Sequence, residues 1–157
     1  MVQFTTFYVG DTFFGINIFQ VKEINNNMRY TKVPDSPGYI KGLLNLRGQI
    51  ITIFDLAKRL GREETEIKEK TRNLIIKTDE ETGKIRAKGL FTEKVGNDAV
   101  GFIIDKIGDV VEFDEEEIVP APANVHDVSK EFIHGVYETE DDLLILLNVS
   151  EIINTQA

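Results

Sequence analysis

The residues able to do chemistry in this 157-residue chain are few and poorly placed for it. The two histidines, His126 and His134, lie in unrelated contexts. Neither a Ser–His–Asp arrangement nor a two-histidine metal site has its partners there, and each reads as a surface or half-buried structural side chain. Asp114-Glu115-Glu116-Glu117 could face a hard cation. It lacks the alternating acidic spacing and central Gly that wrap a loop around calcium, so it reads as a solvated acidic turn. Glu80 and Glu81 fall in a turn with no apolar pocket to raise a carboxyl pKa. No Gly-rich loop followed by Lys-Ser or Lys-Thr could cradle a phosphate. The chain has no Cys, which removes disulfides, thiolate nucleophiles and zinc–thiolate centres together. This inventory argues against an enzyme, a resident cofactor and a bound metal.

One short segment stands apart, Asn45-Leu46-Arg47-Gly48, and an internal repeat gives it meaning. Ile40-Lys41-Gly42 through Leu56 aligns without a gap onto Ile133-His134-Gly135 through Val149. Gly10–Ile16 likewise falls on Gly96–Phe102, and Val21–Ile24 on Ile107–Val110. Two matches in the same order indicate a duplicated β unit. The copies diverge most at Asn45–Gly48, which becomes Glu138–Asp141, with Glu140 opposite Arg47. The fold therefore does not demand Arg at this place. Glu23 has an acidic counterpart in Asp109. An exposed acid–Arg pair would contribute only about 0–1 kcal/mol to stability, so recognition and a plain surface contact both remain open readings. Ile18, Val21 and Ile24 pose a similar question. Burial is the default for such residues, yet spacing of three does not suit one face of a flat strand. A partly exposed aliphatic row beside an Arg would suit a partner helix.

The elements that must position these residues are mostly short strands. Phe4–Gly10 and Phe13–Ile24 read as a hairpin around Gly10-Asp11-Thr12, and Ile40–Leu46 with Gln49–Phe54 as a second hairpin around Arg47-Gly48. Asp55 is a helix cap for Leu56–Leu60, with Gly61 past its end. The almost wholly charged stretch 62–72 is the expected boundary between a first subdomain, 1–66, and a second, 67–157. Asn73–Thr78 is expected as a strand, Asp79–Lys84 as a turn, Ile85–Lys94 as a weaker strand, and Gly101–Val111 as a long strand. Either Asn73–Thr78 or Leu90–Val95 could be the counterpart of Phe4–Val9. Phe132–Tyr137 and Leu143–Leu147 make the last hairpin, and Asn148–Glu151 caps a short C-terminal helix. The pattern is all-β and favours small barrels.

Bulk properties narrow the partners. A net charge of −9, with Lys and Arg scattered among acids, would repel a phosphate backbone or an anionic membrane. No apolar run approaches the about 18–20 residues that span a bilayer, and the N-terminus lacks the basic start of a signal peptide. A cytoplasmic protein without direct membrane binding is expected.

Pro34-x-x-Pro37-x-x-Ile40-x-Gly42-Leu43-x-Asn45-Leu46-Arg47-Gly48, followed by Ile50–Leu56 and Leu60-Gly61, resembles the CheW family of chemotaxis coupling proteins. Val21–Ile24, Gly101–Asp105 and the closing Gly135–Asn148 extend the resemblance over nearly the whole chain. It implies two intertwined SH3-like five-stranded β-barrels, with short helices after Asp55 and at the C-terminus. It also implies a non-enzymatic adaptor linking the cytoplasmic tip of methyl-accepting chemoreceptors to the histidine kinase CheA. Such a protein would be a monomer in isolation, assembled into receptor arrays with CheA's regulatory domain. The receptor's helical hairpin would dock between the barrels. The matching positions here are Ile18, Val21 and Ile24, with Ile107 as second-barrel counterpart of Val21, and Glu23 and Arg47, flanked by Asn45 and Gly48, as the acid–Arg support. Two departures stand out: Thr52 where the family has Pro, and a longer segment at 79–96. A coupling protein of a non-chemotaxis kinase array is the alternative, and a small-ligand-binding barrel a more distant one.

Overall fold

The computed structural model of the chain describes residues 1–154. In order these form β1 (Val2–Val9), β2 (Thr12–Asn17), a 3-10 turn (Ile18–Gln20), β3 (Val21–Asn25), β4 (Ile40–Leu46), β5 (Gln49–Asp55) and α1 (Leu56–Arg59). Then come β6 (Arg72–Ile76), α2 (Asp79–Ala87), β7 (Val100–Ile104), β8 (Lys106–Phe113), a small ribbon of β9 (Asn124–Val125) and β10 (Val128–Ser129), β11 (Ile133–Glu138), β12 (Leu143–Leu147) and α3 (Val149–Ile153). The strands build two five-stranded sheets, with orders β11-β12-β2-β1-β8 and β4-β5-β7-β6-β3. Each is an open SH3-like barrel.

The two orders are the same order. If β6, β7 and β8 are the second copies of β1, β2 and β3, and β11 and β12 those of β4 and β5, one sheet maps onto the other strand by strand. Each sheet carries the other copy's first hairpin. Strands from either side of residue 66 therefore mix in both barrels. The exchanged hairpins join their hosts through parallel pairings, Phe14 with Ile145 in one sheet and Phe102 with Phe54 in the other. β6 takes the place equivalent to β1, which makes Asn73–Thr78, not Leu90–Val95, the counterpart of Phe4–Val9.

Exchange explains the composition of the central strands. Every residue of β7, Val-Gly-Phe-Ile-Ile, is buried. Side chains alternate across a strand. Val100, Phe102 and Ile104 thus enter a core shared by both sheets, with Phe7, Phe14, Ile145 and Leu147, while Ile103 packs inside its own barrel with Leu44, Ile51 and Ile75. β12 does the same, sending Ile145 and Leu147 to the shared core and Leu144 and Leu146 to a cluster with Phe4 and Phe113. A strand buried on both faces reads as a continuous apolar run, not an alternating one.

Gly42 and Gly135, matched in the repeat, show why the copies keep glycine there. Each follows a register shift in its hairpin. A Cβ at Gly42 would meet the Thr31 carbonyl oxygen at 2.7 Å, and one at Gly135 would meet Ile118 Cγ2 at 2.5 Å. The obstacles are equivalent segments: Thr31 bridges Leu43, and Val119 bridges Val136.

Four sequence expectations change. The long strand Phe13–Ile24 breaks into β2, the 3-10 turn and β3, because the Asn17 side chain accepts the Phe19 N–H at 2.9 Å and turns the chain. Gly101–Val111 likewise breaks at Asp105, whose N–H donates to the Tyr8 carbonyl at 3.0 Å. Asp79–Lys84 is no turn, and Ile85–Lys94 no strand: α2 covers all of the first and the start of the second, as far as Ala87, and no strand follows before β7. Thr78 and Glu81 form a capping box there, with acids in the first turn and Lys84 and Arg86 in the last, as the helix dipole favours.

The shared core makes the barrels one cooperative unit. Phe102→Ala should cost about 3–5 kcal/mol and Ile103→Val about 0.5–1.5 kcal/mol, both within a single urea transition followed by fluorescence and circular dichroism. Two separated transitions would show that the barrels fold independently.

Candidate functional site

The second sheet ends in two edges, β3 and β4. Side chains tie these edges together. Arg47 sits at the tip of the β4–β5 hairpin with φ 51°, and Gly48 follows with φ 85°. Two positive φ angles in succession belong to a type I′ turn, whose twist matches that of paired strands. Asn45 supports the turn by accepting the Gly48 N–H on Oδ1 at 3.0 Å. Gly takes its angle freely, but a side chain in the left-handed region costs about 1–2 kcal/mol. Arg47 is held there nonetheless, with its Nη2 donating to Glu23 Oε1 on β3.

A second tie runs beside the first. Lys22 Nζ donates to Gln49 Oε1, just past the turn, at 3.4 Å, and pairs with Glu81 of α2 at 2.8 Å. Burial pushes the Glu81 carboxyl up, but Lys22 and the Thr78 N–H and hydroxyl outweigh it and hold it below the usual carboxylate range. Lys22 was not singled out from sequence, since a Lys between Val21 and Glu23 on an edge strand carries no signal of its distant partners. At the far end of β3, Asn73 is fully buried and donates to the Asn25 side chain at 2.9 Å and the Asn27 carbonyl at 2.7 Å. It also accepts from the Tyr30 hydroxyl. Burial, opposed by Asn73 and helped by Asp55, pushes that hydroxyl up to about 12. Asn25-Asn26-Asn27, expected only as an irregular break, thus anchors the end of the strand.

The aliphatic candidates divide. Ile18 lies in the 3-10 turn and is half-buried, and Val21 packs against the shared core. Ile24 is 39% exposed. Ile107 lies on β8, the edge of the other sheet, 37% exposed. It lines a groove of about 590 Å³ with Tyr8, Phe13, Arg72, Lys106 and Val111. The structure thus brings Glu23, Arg47, Asn45 and Gly48 together and sets Ile18, Val21 and Ile24 along the same edge. Ile107 occupies the equivalent place in the other barrel. There the counterparts of Arg47 and Glu23 are two acids, Glu140 and Asp109, both exposed. Val110 and Ile50, 50% and 53% exposed, are apolar surface residues that the sequence reading passed over. Their strands alternate apolar and polar residues too weakly to show which face is bare.

Among the described residues no group of three or more His, Cys, Asp or Glu side chains could hold a metal ion, and no helix is long and apolar enough to cross a membrane. His126 is engaged through its backbone carbonyl, which accepts from Arg62 at 2.7 Å. His134 shares a cavity with Gln20, Glu93 and Glu115. Burial pushes the Glu93 carboxyl above the usual range, offset in part by the Ser150 N–H, which it accepts at 3.1 Å, and by His134.

The chain matches the CheW-like domain family over residues 3–157. It is 29% identical over 154 residues to the chemotaxis protein CheW of Treponema pallidum, covering 98% of this chain and 83% of that one. It is 30% identical over 151 residues to the CheW of Bacillus subtilis, covering 96% and 86%. The crystal structure of the scaffolding protein TtCheW from Thermoanaerobacter tengcongensis superposes with a TM-score of 0.80 at 27% identity, over 99% of this chain and 90% of that one.

Two outcomes follow from the geometry. Arg47→Asn, which exchanges an exposed ion pair for a residue that type I′ turns favour, should move the unfolding free energy by no more than about 1 kcal/mol. A loss of several times that in a urea melt would make the pair structural. Glu93 has a raised folded pKa, so its contribution to stability is complete below the unfolded carboxylate pKa of about 4.3 and is lost as pH rises through the folded value. Glu93→Gln keeps an acceptor for the Ser150 N–H without the charge. Its stability relative to the parent should therefore rise between pH 4 and pH 7, as read from paired melts across that range.

Proposed function

The chain belongs to the CheW-like domain family, and we propose that it is a chemotaxis adaptor that couples the cytoplasmic tips of methyl-accepting chemoreceptors to the histidine kinase CheA. It does so by binding, without catalysis, in the cytoplasm, and it reaches the membrane only through the receptors it joins. It is a monomer alone and becomes part of an array with CheA's regulatory domain. The strand β3 and the 3-10 turn before it carry the receptor-facing surface: Ile18, Val21 and Ile24 offer aliphatic contact to a helical hairpin, and Ile107 offers it from the other barrel. Glu23 and Arg47, held by Asn45 and Gly48, flank that contact with charge.

The observation that carries this reading is Arg47. Its backbone conformation is one that Gly and Asn take readily and a long side chain does not, its side chain is 71% exposed, and its partner is an acid on the strand in question. A surface pair of that kind contributes about 0–1 kcal/mol to stability, which does not offset the cost of the turn. The copy of the same hairpin in the other barrel dispenses with it. Binding energy is the remaining return, and an apolar row flanked by an oriented Arg is a common way to hold a helix.

Calorimetric titration of the protein with CheA's regulatory domain and with a receptor signalling-tip fragment tests the assignment. Both should bind. Arg47→Glu, which sets two acids against each other as in the second barrel, should weaken the receptor fragment at least tenfold and leave the kinase domain unchanged. Equal receptor affinity for parent and variant would remove Arg47 from the site, and binding of neither partner would remove the adaptor role.

A further inference from the structure

The two copies of the repeat differ most in architecture where β6 joins β7. Gly10-Asp11 alone connects β1 to β2, whereas residues 77–99, with α2 inside them, connect the equivalent pair. This connection closes on itself at its base. The Asp79 carboxylate accepts the N–H groups of Val95 and Gly96 at 2.8 and 2.9 Å, and the Asp79 N–H donates to the Gly96 carbonyl at 2.9 Å. The Asn97 side chain accepts from the Glu80 N–H at 2.9 Å. A long insertion hanging in solvent would need none of these contacts.

Its outward contacts fall on two bodies. Toward the second sheet, Glu81 pairs with Lys22 of β3. Phe91, 8% exposed, meets Phe19 edge to face at 6.4 Å in the 3-10 turn that leads into β3. Toward the first sheet, Glu93 accepts the Ser150 N–H of α3, the helix that follows β12. Between these points Val95 packs on the shared core, and Gln20 and Phe91 line one cavity with Leu147 of β12 and His134 of β11. Burial of an aromatic ring and two charge-assisted contacts, one on each side, is more than a solvated loop requires.

We propose that residues 77–99 are a strap that fastens β3, the edge strand of one barrel, to α3 at the end of the other. Edge strands have neighbours on one side and open at low free energy. A strap on β3 removes that freedom at the strand bearing Val21, Glu23 and Ile24, and fixes its angle to the second barrel. The fastening stands on contacts within this chain. Its consequence for partners, a receptor surface fixed before binding, rests on the adaptor reading.

Amide hydrogen exchange of the full-length protein tests the strap without any partner. Phe91→Ala with Glu93→Ala should accelerate exchange of the β3 and α3 amides together, at least tenfold, while β7 and β12 keep the protection of the parent. A variant in which residues 77–99 are replaced by the Gly-Asp turn of the first copy should do the same. If Phe91→Ala with Glu93→Ala lowers protection throughout the chain, Phe91→Leu with Glu93→Ala provides the milder comparison, still releasing a contact on each side. Faster exchange in β3 alone, in α3 alone or in neither would overturn the strap. Receptor-fragment titration of the same variants then reads the consequence. Weaker binding with β3 loosened supports a fixed surface, and unchanged binding with β3 loosened overturns it. Failure of the parent to bind the fragment would sink the adaptor reading and leave the exchange result to decide the strap.

Discussion

Everything in this structure depends on burying both faces of the exchanged hairpins. β6 and β7 lie in a barrel built otherwise from the first copy, and β1 and β2 in one built otherwise from the second. One face of each hairpin fills its host barrel, and the other meets its counterpart across the shared core. A five-stranded sheet of about this size encloses little apolar volume by itself, and small domains are marginal for that reason. Exchange places Phe7, Phe14, Phe102 and Ile104 where neither barrel alone could cover them. Because each copy completes the other, the two cannot part without exposing both.

That constraint leaves the edges as the places free to vary. In the second sheet, β3 and the tip of the β4–β5 hairpin are drawn together by Arg47 with Glu23 and by Lys22 with Gln49. The corresponding place in the first sheet holds two acids. Duplication made two equal edges, and charge made them unequal. The same division recurs in the connections: the first copy turns between its paired strands in two residues, and the second inserts a capped helix and a following segment whose Glu93 reaches across to α3. Core positions of the two copies are constrained by packing, as Gly42 and Gly135 are by the segments crossing them. Edges and connections are where the copies acquired different work.

Two arginines on α1 and beyond it show how the copies are joined outside the core. Arg59 lies between the rings of Tyr39 and Phe132 and donates to the carbonyls of Glu151, Ile152 and Asn154 at the end of α3. Arg62 lies over Phe14 and donates to the carbonyls of Val9 and His126. Guanidinium groups suit such joints, because one planar fork satisfies several carbonyls while its face rests on an aromatic ring. With these joints in place, β3 and β8 remain edge strands, each at the opposite side of its sheet from β4 or β11.

The sequence by itself determined most of the strands and their repeat. Alternating and continuous apolar runs, Gly10-Asp11 and Arg47-Gly48 turns, and the caps at Asp55 and Asn148 are local properties, and local sterics and hydrogen bonding decide them. The divergence at Arg47 was also legible, since it needs only a comparison of the two copies. Helix α2 was locally encoded as well, in Thr78 and Glu81, but the turn-like Glu-Thr-Gly within it masked the signal. What only the tertiary structure decided is which hairpin sits in which barrel. Either assignment would satisfy the same pattern of apolar faces, so periodicity cannot choose between them. Tertiary structure also decided that Lys22 would reach Gln49 and Glu81, and that Glu93 would reach α3. Those contacts join residues far apart in the chain, and their partners are set by how the sheets curl and pack, which no window of sequence contains.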